Sequence, residues 1–311
     1  MSISASMVKE LREKTSAGMM DCKKALEESK GDFEAAIEWL RIKGLSAASK
    51  KADRIAAEGT VFAMTSAKNA VVIEINSETD FVARTDNFKN FVTSVAEHVL
   101  KTNSSAPILE QDFVGALGAP TKKVGDVLKE AIATIGENTV IRRVEKYTTT
   151  ENGLVHTYIH GEGKIGVMIE VMASTAAAAN STEAKTLASD VCLHIAAMNP
   201  MALSQDQMNA AVVAKEKEIL RQKALESGKK PEMLDKIVEG QIRKFLAENC
   251  LLDQSFVKNP DLTIGAYVKE CAKLAKGDLS IKRFVRFELG AGIEKKVVDF
   301  AAEVAAQTKT H

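Results

Sequence analysis

The sequence predicts an α+β fold, and three features of the chain support this prediction. Hydrophobic residues recur at helical spacing near the N-terminus, two β-hairpin patterns follow, and the first hairpin unit is repeated later in the chain. A chain of 311 residues also exceeds the size at which a single hydrophobic core usually stops growing. We therefore expect several modules, and the largest is a duplicated core of hairpins and helices with two related subdomains.

Residues 1–44 are predicted to form a module of three short helices. The second helix covers residues 20–28, and Asp32 is placed to cap the third by accepting a backbone hydrogen bond. The third helix carries an apolar stripe, which consists of Phe33, Ala36, Ile37 and Leu40. Residues 45–59 are small and polar, and they are predicted to form a linker with some helical character.

The hydrophobic period becomes strand-like after Thr60, which predicts two β-hairpins. Apolar runs flank the turn at Ser66–Asn69 in the first hairpin and the turn at His160–Lys164 in the second. A shift of 96 residues takes Glu74 onto Glu170, and it takes His98 in the following helix onto His194. Strand and helix share one offset, which indicates an internal duplication.

The later part of the duplication follows a different offset. A shift of 140 residues takes Arg143 onto Arg283, so the second copy carries an insertion between its two helices. We predict that core subdomain N covers 60–148 and that core subdomain C covers 149–203 and 250–290. The charge-rich insertion, 204–249, is predicted to form an antiparallel helical hairpin. Residues 291–311 are predicted to form a C-terminal helical module.

Composition excludes several classes of protein. Lys plus Arg and Asp plus Glu both total 42, so no global field attracts the chain to nucleic acid or anionic lipid. The four cysteines lie far apart, a pattern typical of single thiols in a reducing compartment. The N-terminus lacks the apolar stretch of a signal peptide. We expect a cytoplasmic protein without direct nucleic-acid or membrane contact.

No enzyme-like or metal-binding site is evident in the sequence. Residues Gly161 to Gly166 match a dinucleotide fingerprint, but they join two strands and are interpreted as a hairpin turn. The histidines lack metal-ligand spacing, and His98 and His194 are predicted to have structural roles. We expect no catalytic residue, no metal and no cofactor, and we predict that the protein is not an enzyme.

The most unusual segment comprises Thr79, Asp80, Phe81 and Val82, which we call the wedge segment. In one interpretation, Thr79 or Asp80 caps a turn and Phe81 packs inward. In the other, the acid and the aromatic ring form a compact wedge for a partner protein. The equivalent segment of the second copy, 174–179, lacks both acid and aromatic, so fold maintenance explains the wedge segment less easily.

Two further candidate contacts leave alternatives open. Met19 and Met20 are adjacent near Arg12, and both cannot face a small core, so they either form a protein-binding surface or lie under the linker. His160 lies in a hairpin turn, where it is either a contact residue or a solvated turn residue.

The chain resembles elongation factor Ts, the guanine-nucleotide exchange factor of bacterial translation, over nearly its whole length. The segments that carry the resemblance are Val8–Arg12, Met19–Leu26, Thr79–Val82, His160–Gly161 with Ile165–Val167, and Phe287–Glu288 through Gly292–Glu294 to Asp299–Ala301. Together these segments are much more specific than any single motif. The 204–249 insertion and the 102–122 loop are longer than the family pattern suggests.

The resemblance implies a function and a set of contact residues. The partner would be elongation factor Tu, in its GDP-bound and nucleotide-free states, and the function would be to release its GDP and stabilise the empty state until GTP binds. Asp80 and Phe81 would insert beside the nucleotide site and disturb the groups that hold Mg²⁺ and phosphate. Arg12, Met19 and Met20 would contact the nucleotide-binding domain, and His160 would contact another domain.

The same resemblance implies a UBA-like N-terminal module and a coiled coil in the insertion. It leaves open whether the protein forms a homodimer or a 2:2 complex with its partner. Two other classes remain as alternatives: a scaffold that binds exposed peptides or helices without exchange activity, and a hydrolase whose site is assembled only in space. Accelerated release of fluorescent GDP from elongation factor Tu would separate exchange from both.

Overall fold

The computed structural model describes residues 3–15, 17–115, 120–228 and 231–294, and its fold is α+β, as predicted. The predicted C-terminal helical module, 291–311, lies outside the described residues beyond Glu294. The N-terminal part contains α1 (Ala5–Thr15), α2 (Met19–Glu28) and α3 (Phe33–Lys51), which enclose a small core of their own. The Asp32 carboxylate accepts a hydrogen bond from the Ala35 N–H at 2.9 Å, which confirms the predicted cap.

The first copy of the core begins with the predicted hairpin. Its elements are β1 (Glu58–Ser66), β2 (Asn69–Ser77), α4 (Asp80–Ala83), α5 (Asp86–Lys101), β3 (Asp112–Val114), β4 (Pro120–Lys123), α6 (Val124–Ile135) and β5 (Thr139–Thr148). The long strands form an antiparallel sheet in the order β1-β2-β5. Strands β3 and β4 form a short ribbon within the segment interpreted from the sequence as a loop.

The second copy repeats this order of elements. It contains β6 (Gly153–His160), β7 (Ile165–Ala173), α7 (Ala176–Ala179), α8 (Thr182–Met198), α9 (Ala210–Glu226), α10 (Pro231–Asn249), β8 (Ser255–Phe256), β9 (Asn259–Thr263), α11 (Ile264–Leu274) and β10 (Leu279–Glu288). Its sheet has the order β6-β7-β10, so β7 is the central strand, as β2 is in the first copy. The second hairpin is therefore also confirmed.

Both central strands are buried on both faces. In β2, Val71 and Ile73 pack in the cluster that contains residues of α5 and α6, whereas Val72 joins a cluster with residues of the other sheet, among them Met168 and Val155. Side chains alternate between the two faces of a strand, so this arrangement requires an almost continuous apolar run. The two sheets thus face each other, with helices on their outer sides.

A buried carboxylate lies in the central strand of each sheet. Glu74 accepts hydrogen bonds from Arg142 Nη1 at 2.9 Å and from Arg143 Nε at 2.5 Å. Burial by itself would raise the pKa of Glu74, but the Gly290 N–H and the two guanidinium groups hold that pKa below its usual value. Glu170 is paired in the same way, with Lys282 and Arg283.

The two copies contact each other reciprocally. The guanidinium of Arg143 lies over the Phe287 ring, 4.4 Å from its centroid, and that of Arg283 lies 3.9 Å from the centroid of Tyr147. These pairs are equivalent under the shift of 140 residues, so each copy provides one cation and one ring. The described core is therefore two interlocked copies with a common apolar cluster.

Helix α3 extends to Lys51, so the first part of the predicted 45–59 linker is helical. Gly44 lies where α3 crosses α6, and a Cβ atom at this position would approach Ala133 Cβ to 2.7 Å. Lys51 Nζ also donates to the Gly136 carbonyl at 2.6 Å. The small residues predicted a linker with some helical character, and at Gly44 small size permits close packing of α3 on α6.

The insertion of the second copy leaves and rejoins the core at one place. The Met201 N–H donates to the Asn249 carbonyl at 2.9 Å, and the Leu251 N–H donates to the Ala202 carbonyl at 2.9 Å. Helices α9 and α10 contact each other, and Arg221 pairs with Asp235 at 3.1 Å. The buried residues of α10 include Leu234, Val238 and Ile242, which recur at helical spacing on one face.

Candidate partner-binding surface

The wedge segment forms the short helix α4 directly after β2. Thr79 Oγ1 accepts a hydrogen bond from the Val82 N–H at 3.3 Å, and the side chain of Val82 packs against the first-copy core. The Phe81 side chain is 77% exposed, and Asp80 forms an exposed ion pair with Arg84 at 3.2 Å. The predicted cap is therefore present, but the expectation that Phe81 packs inward is wrong.

The second copy builds the same short helix from different residues. Thr175 Oγ1 accepts from the Ala178 N–H at 3.2 Å, as Thr79 does in the first copy. Ala176 and Ala177 occupy the places of Asp80 and Phe81, and both are exposed. The cap and the helix thus form without an acid or an aromatic residue, so the fold does not require Asp80 and Phe81.

Three residues, Ser77, Thr79 and Glu137, form a hydrogen-bonded group that we call the Thr79 clamp. The Glu137 carboxylate accepts from the Thr79 N–H at 2.9 Å and from Thr79 Oγ1 at 2.8 Å. Ser77 Oγ donates to the Thr79 carbonyl at 2.9 Å. Ser77 and Glu137 are not among the residues predicted from the sequence, because Glu137 lies far along the chain in the α6–β5 connection.

An open groove of about 1330 Å³ runs beside the wedge segment. Its walls include Asp80 and Phe81 from α4, residues of β1, and the turn between β6 and β7, together with Lys89 and Lys164. The Val61 N–H donates to the Gly163 carbonyl at 2.7 Å and holds this turn against β1. The groove therefore brings the wedge segment of the first copy near the hairpin turn of the second.

The glycine-rich sequence at 161–166 is a hairpin turn and the start of β7, as interpreted from the sequence. Gly163 has a φ of +90°, and a Cβ atom there would lie 2.1 Å from Thr60 Oγ1. His160 precedes this turn, is exposed, and forms a hydrogen bond between its Nδ1 and the Tyr158 hydroxyl at 3.0 Å. It is displayed next to the groove without lining it.

The N-terminal helices display a separate apolar patch. Met19 is 59% exposed and Met20 is 73% exposed, so the alternative in which the linker buries both is wrong. The core of this module instead contains Cys22 and Leu26. Arg12 is exposed on α1. None of these three candidate contact residues lines the groove beside α4.

The buried histidines and cysteines have structural rather than chemical roles. His98 Nδ1 accepts from the Val114 N–H at 3.1 Å, and its Nε2 bonds to Gln111 at 3.0 Å; His194 repeats both bonds. Burial lowers the pKa of both histidines, and their predicted structural role is confirmed. The four cysteines are free and buried. Within the described ranges, acidic, histidine and cysteine side chains form no metal-binding group of three or more.

No helix in the part of the chain that the structure describes is long and apolar enough to cross a membrane.

Comparison with known proteins gives a consistent result along the chain. A family model described as Elongation factor TS matches residues 78–291. A protein of Bdellovibrio bacteriovorus named Elongation factor Ts is 66% identical over 311 residues, which are 100% of both chains. Proteins of the same name from Symbiobacterium thermophilum and Rhizobium rhizogenes are 47% and 46% identical, and each match covers 98% or 99% of both chains.

Proposed function

The chain belongs to the elongation factor Ts family of translation elongation factors, and from this premise we propose that it binds elongation factor Tu and promotes release of GDP. One observation carries the proposal: the first copy displays an acid and an exposed aromatic ring on a helix that the second copy builds from alanine. A largely exposed aromatic side chain gains little for the fold, but it is well suited to an apolar slot on a partner.

The proposed mechanism needs no covalent chemistry. Phe81 enters an apolar slot beside the nucleotide site of elongation factor Tu, and the Asp80 carboxylate takes up hydrogen-bond donors there. Both contacts disturb the groups that hold Mg²⁺ and phosphate, so GDP leaves. Exchange then depends on tighter binding to the nucleotide-free partner than to the GDP-bound partner, and this coupling is reciprocal. To shift the ratio of nucleotide-free to GDP-bound partner from 1:99 to 99:1, the protein must bind the nucleotide-free form more tightly by about 5.5 kcal/mol.

The remaining candidate residues would supply affinity. Arg12, Met19 and Met20 would contact the nucleotide-binding domain of elongation factor Tu, and His160 would contact a different domain. Exposed thioethers adapt to a partner surface, which suits the first role. In this proposal the first module is UBA-like, the α9–α10 insertion is a coiled coil, and the protein acts in the cytoplasm. The protein would act as a homodimer or in a 2:2 complex with elongation factor Tu.

The test is release of fluorescent GDP from elongation factor Tu at increasing concentrations of this protein. Asp80→Ala and Phe81→Ala each introduce the residue that the second copy already carries, so the fold should persist. We expect each variant to lower the release rate at saturation by about tenfold, or about 1.4 kcal/mol. Leu274→Ala is the matched control, because it removes another exposed apolar side chain, in the second copy.

Two outcomes would contradict the proposal. If the wild-type protein did not accelerate release, the peptide-binding scaffold would become the better explanation. If Phe81→Ala and Leu274→Ala behaved alike, the wedge segment would have no specific role in exchange.

A further inference from the structure

We propose that Glu137 and Ser77 are positioning residues that hold the Asp80–Phe81 helix in the orientation used for nucleotide exchange. The inference rests on the proposed function, and it adds two residues that do not themselves form the exposed wedge. Both act through Thr79, the residue directly before Asp80.

The geometry of the Thr79 clamp leaves its central residue little freedom. Glu137 accepts from both the N–H and the hydroxyl of Thr79, while Ser77 donates to the Thr79 carbonyl. The Thr79 hydroxyl oxygen also caps α4 through the Val82 N–H. The N–H, the carbonyl and the hydroxyl of Thr79, directly before Asp80, are therefore all held by hydrogen bonds.

Such fixation matters because α4 has four residues and none of them is fully buried. A helix of this length has no intrinsic stability, and core packing supplies only part of what it needs. If the helix moved freely, binding would have to order it, and the ordering would cost part of the interaction energy. The clamp pre-organises the segment that is presented to the partner.

The second copy shows that the clamp is not a general requirement of the fold. Ala173 stands in the place of Ser77 and Gly277 in the place of Glu137, and neither has a side chain that can form these hydrogen bonds. Thr175 still caps its helix without them. The clamp therefore occurs in the copy that displays Asp80 and Phe81, and it is missing from the copy that displays alanine.

A neighbouring contact behaves differently, because it occurs in both copies. The Glu78 carboxylate accepts from the Asn138 N–H at 2.6 Å, and in the second copy Ser174 Oγ accepts from the Asp278 N–H at 3.0 Å. The fold thus keeps a side-chain acceptor at this position in both copies. Ser174→Ala removes such a shared contact from the copy that lacks the wedge, which makes it a matched control.

The experiment measures GDP release from elongation factor Tu at saturating concentrations of Glu137→Ala, Ser77→Ala and Ser174→Ala. We expect the two clamp variants to lower the saturated rate roughly two- to tenfold, the effect of one or two net hydrogen bonds, and Ser174→Ala to keep the wild-type rate. Glu137→Gln keeps an acceptor for the Thr79 N–H, so it should retain most of the rate. Thermal unfolding verifies that each variant is folded.

A double-mutant cycle distinguishes positioning from a general structural effect. If Glu137 acts through the wedge, Glu137→Ala should add little to the loss that Phe81→Ala already causes. Fully additive losses, or clamp variants with the wild-type saturated rate, would overturn the proposal. Amide hydrogen exchange provides an independent readout: exchange at Thr79 and Val82 should accelerate in Glu137→Ala and not in Ser174→Ala. If the wild-type protein failed to release GDP, the proposed function would fail, and this exchange would still decide whether Glu137 holds the helix.

Discussion

Residues that recur in both copies stabilise the fold through equivalent bonds. Lys146 Nζ donates to the Leu100 carbonyl at 2.8 Å at the end of α5, and Arg286 Nη2 reaches the Ala196 carbonyl at 3.5 Å near the end of α8. Carbonyls at the C-terminus of a helix lack intrahelical donors, so a cation there satisfies them and interacts favourably with the helix dipole. Equivalence between copies is therefore a practical sign of a structural role.

His98 and His194 should make stability depend on pH. Burial lowers the pKa of each below the usual value of 6.5, so the unfolded chain binds protons that the folded chain rejects. Stability is then complete above about pH 6.5 and falls as the pH decreases, by up to about 1.4 kcal/mol per pH unit for each histidine. Chemical denaturation between pH 7.5 and 5.5 measures this slope.

The control for this prediction is His98→Asn, which removes one titrating group. Its stability at pH 7.5 should be lower, but its slope between pH 7.5 and 5.5 should be shallower than that of the wild type. Glu74 and Glu170 do not interfere, because their lowered pKa values place their loss of stability below pH 4.5. His156, whose pKa burial also lowers, contributes to the slope equally in the wild type and the variant. An unchanged slope in the variant would show that other groups cause the dependence.

Met19 and Met20 should contribute to affinity rather than to nucleotide displacement. Truncation of both to alanine removes apolar burial worth roughly 1.5–3 kcal/mol per side chain if the partner covers each fully. We expect weaker binding to nucleotide-free elongation factor Tu, and a normal release rate once enough factor is added. A methionine variant that lowers only the saturated rate would contradict this division between anchoring and displacement.

At the scale of elements, the long strands and helices were predictable and the short ones were not. The hairpins and the apolar stripe of α3 show clear periodic patterns, whereas β8 has two residues and β3 has three, too few to show a period. The helical character predicted for the 45–59 linker is present up to Lys51, but the exact end of α3 could not be predicted because its small residues do not mark a boundary. Glu137 was missed because its contact with Thr79 joins residues 58 positions apart, although its replacement by Gly277 in the second copy is visible in the sequence.

The α9–α10 hairpin should be removable without loss of the core. Its ends meet through hydrogen bonds that involve Met201, Ala202, Asn249 and Leu251, and the first copy joins the equivalent helices, α5 and α6, through the β3–β4 ribbon without such a hairpin. Replacing residues 214–245 with a short Gly/Ser linker keeps these bonds, the buried Met208, and the residues Val213 and Leu246 that pack against it. We expect circular dichroism to show a single cooperative thermal transition. A broad or absent transition would show that the hairpin supports the core.

At the scale of the whole molecule, the two copies should unfold as one unit. They have in common the apolar cluster around Val72 and Met168, in addition to the reciprocal cation–ring contacts. Leu187 lies in the core of the second copy alone, and Leu187→Ala should cost about 2–5 kcal/mol. If unfolding is cooperative, the slowest-exchanging amides of β2 in the first copy should accelerate by the same free energy.

The control is Leu225→Ala in α9, where the side chain is exposed, so this variant should leave exchange in β2 unchanged. If Leu187→Ala also left β2 unchanged, the copies would be separate folding units despite their contacts.

The reciprocal stacking of Arg143 on Phe287 and of Arg283 on Tyr147 has the pattern of an isologous interface, in which one patch meets its own equivalent across a two-fold axis. Two separate subunits with this interface would have a stability that depends on their concentration. The short connection between β5 and β6 removes that dependence. It also allows the two copies to differ in sequence. A symmetric dimer repeats every surface feature on both subunits. In this chain, one copy carries an exposed aromatic residue on α4 and the other carries the α9–α10 hairpin.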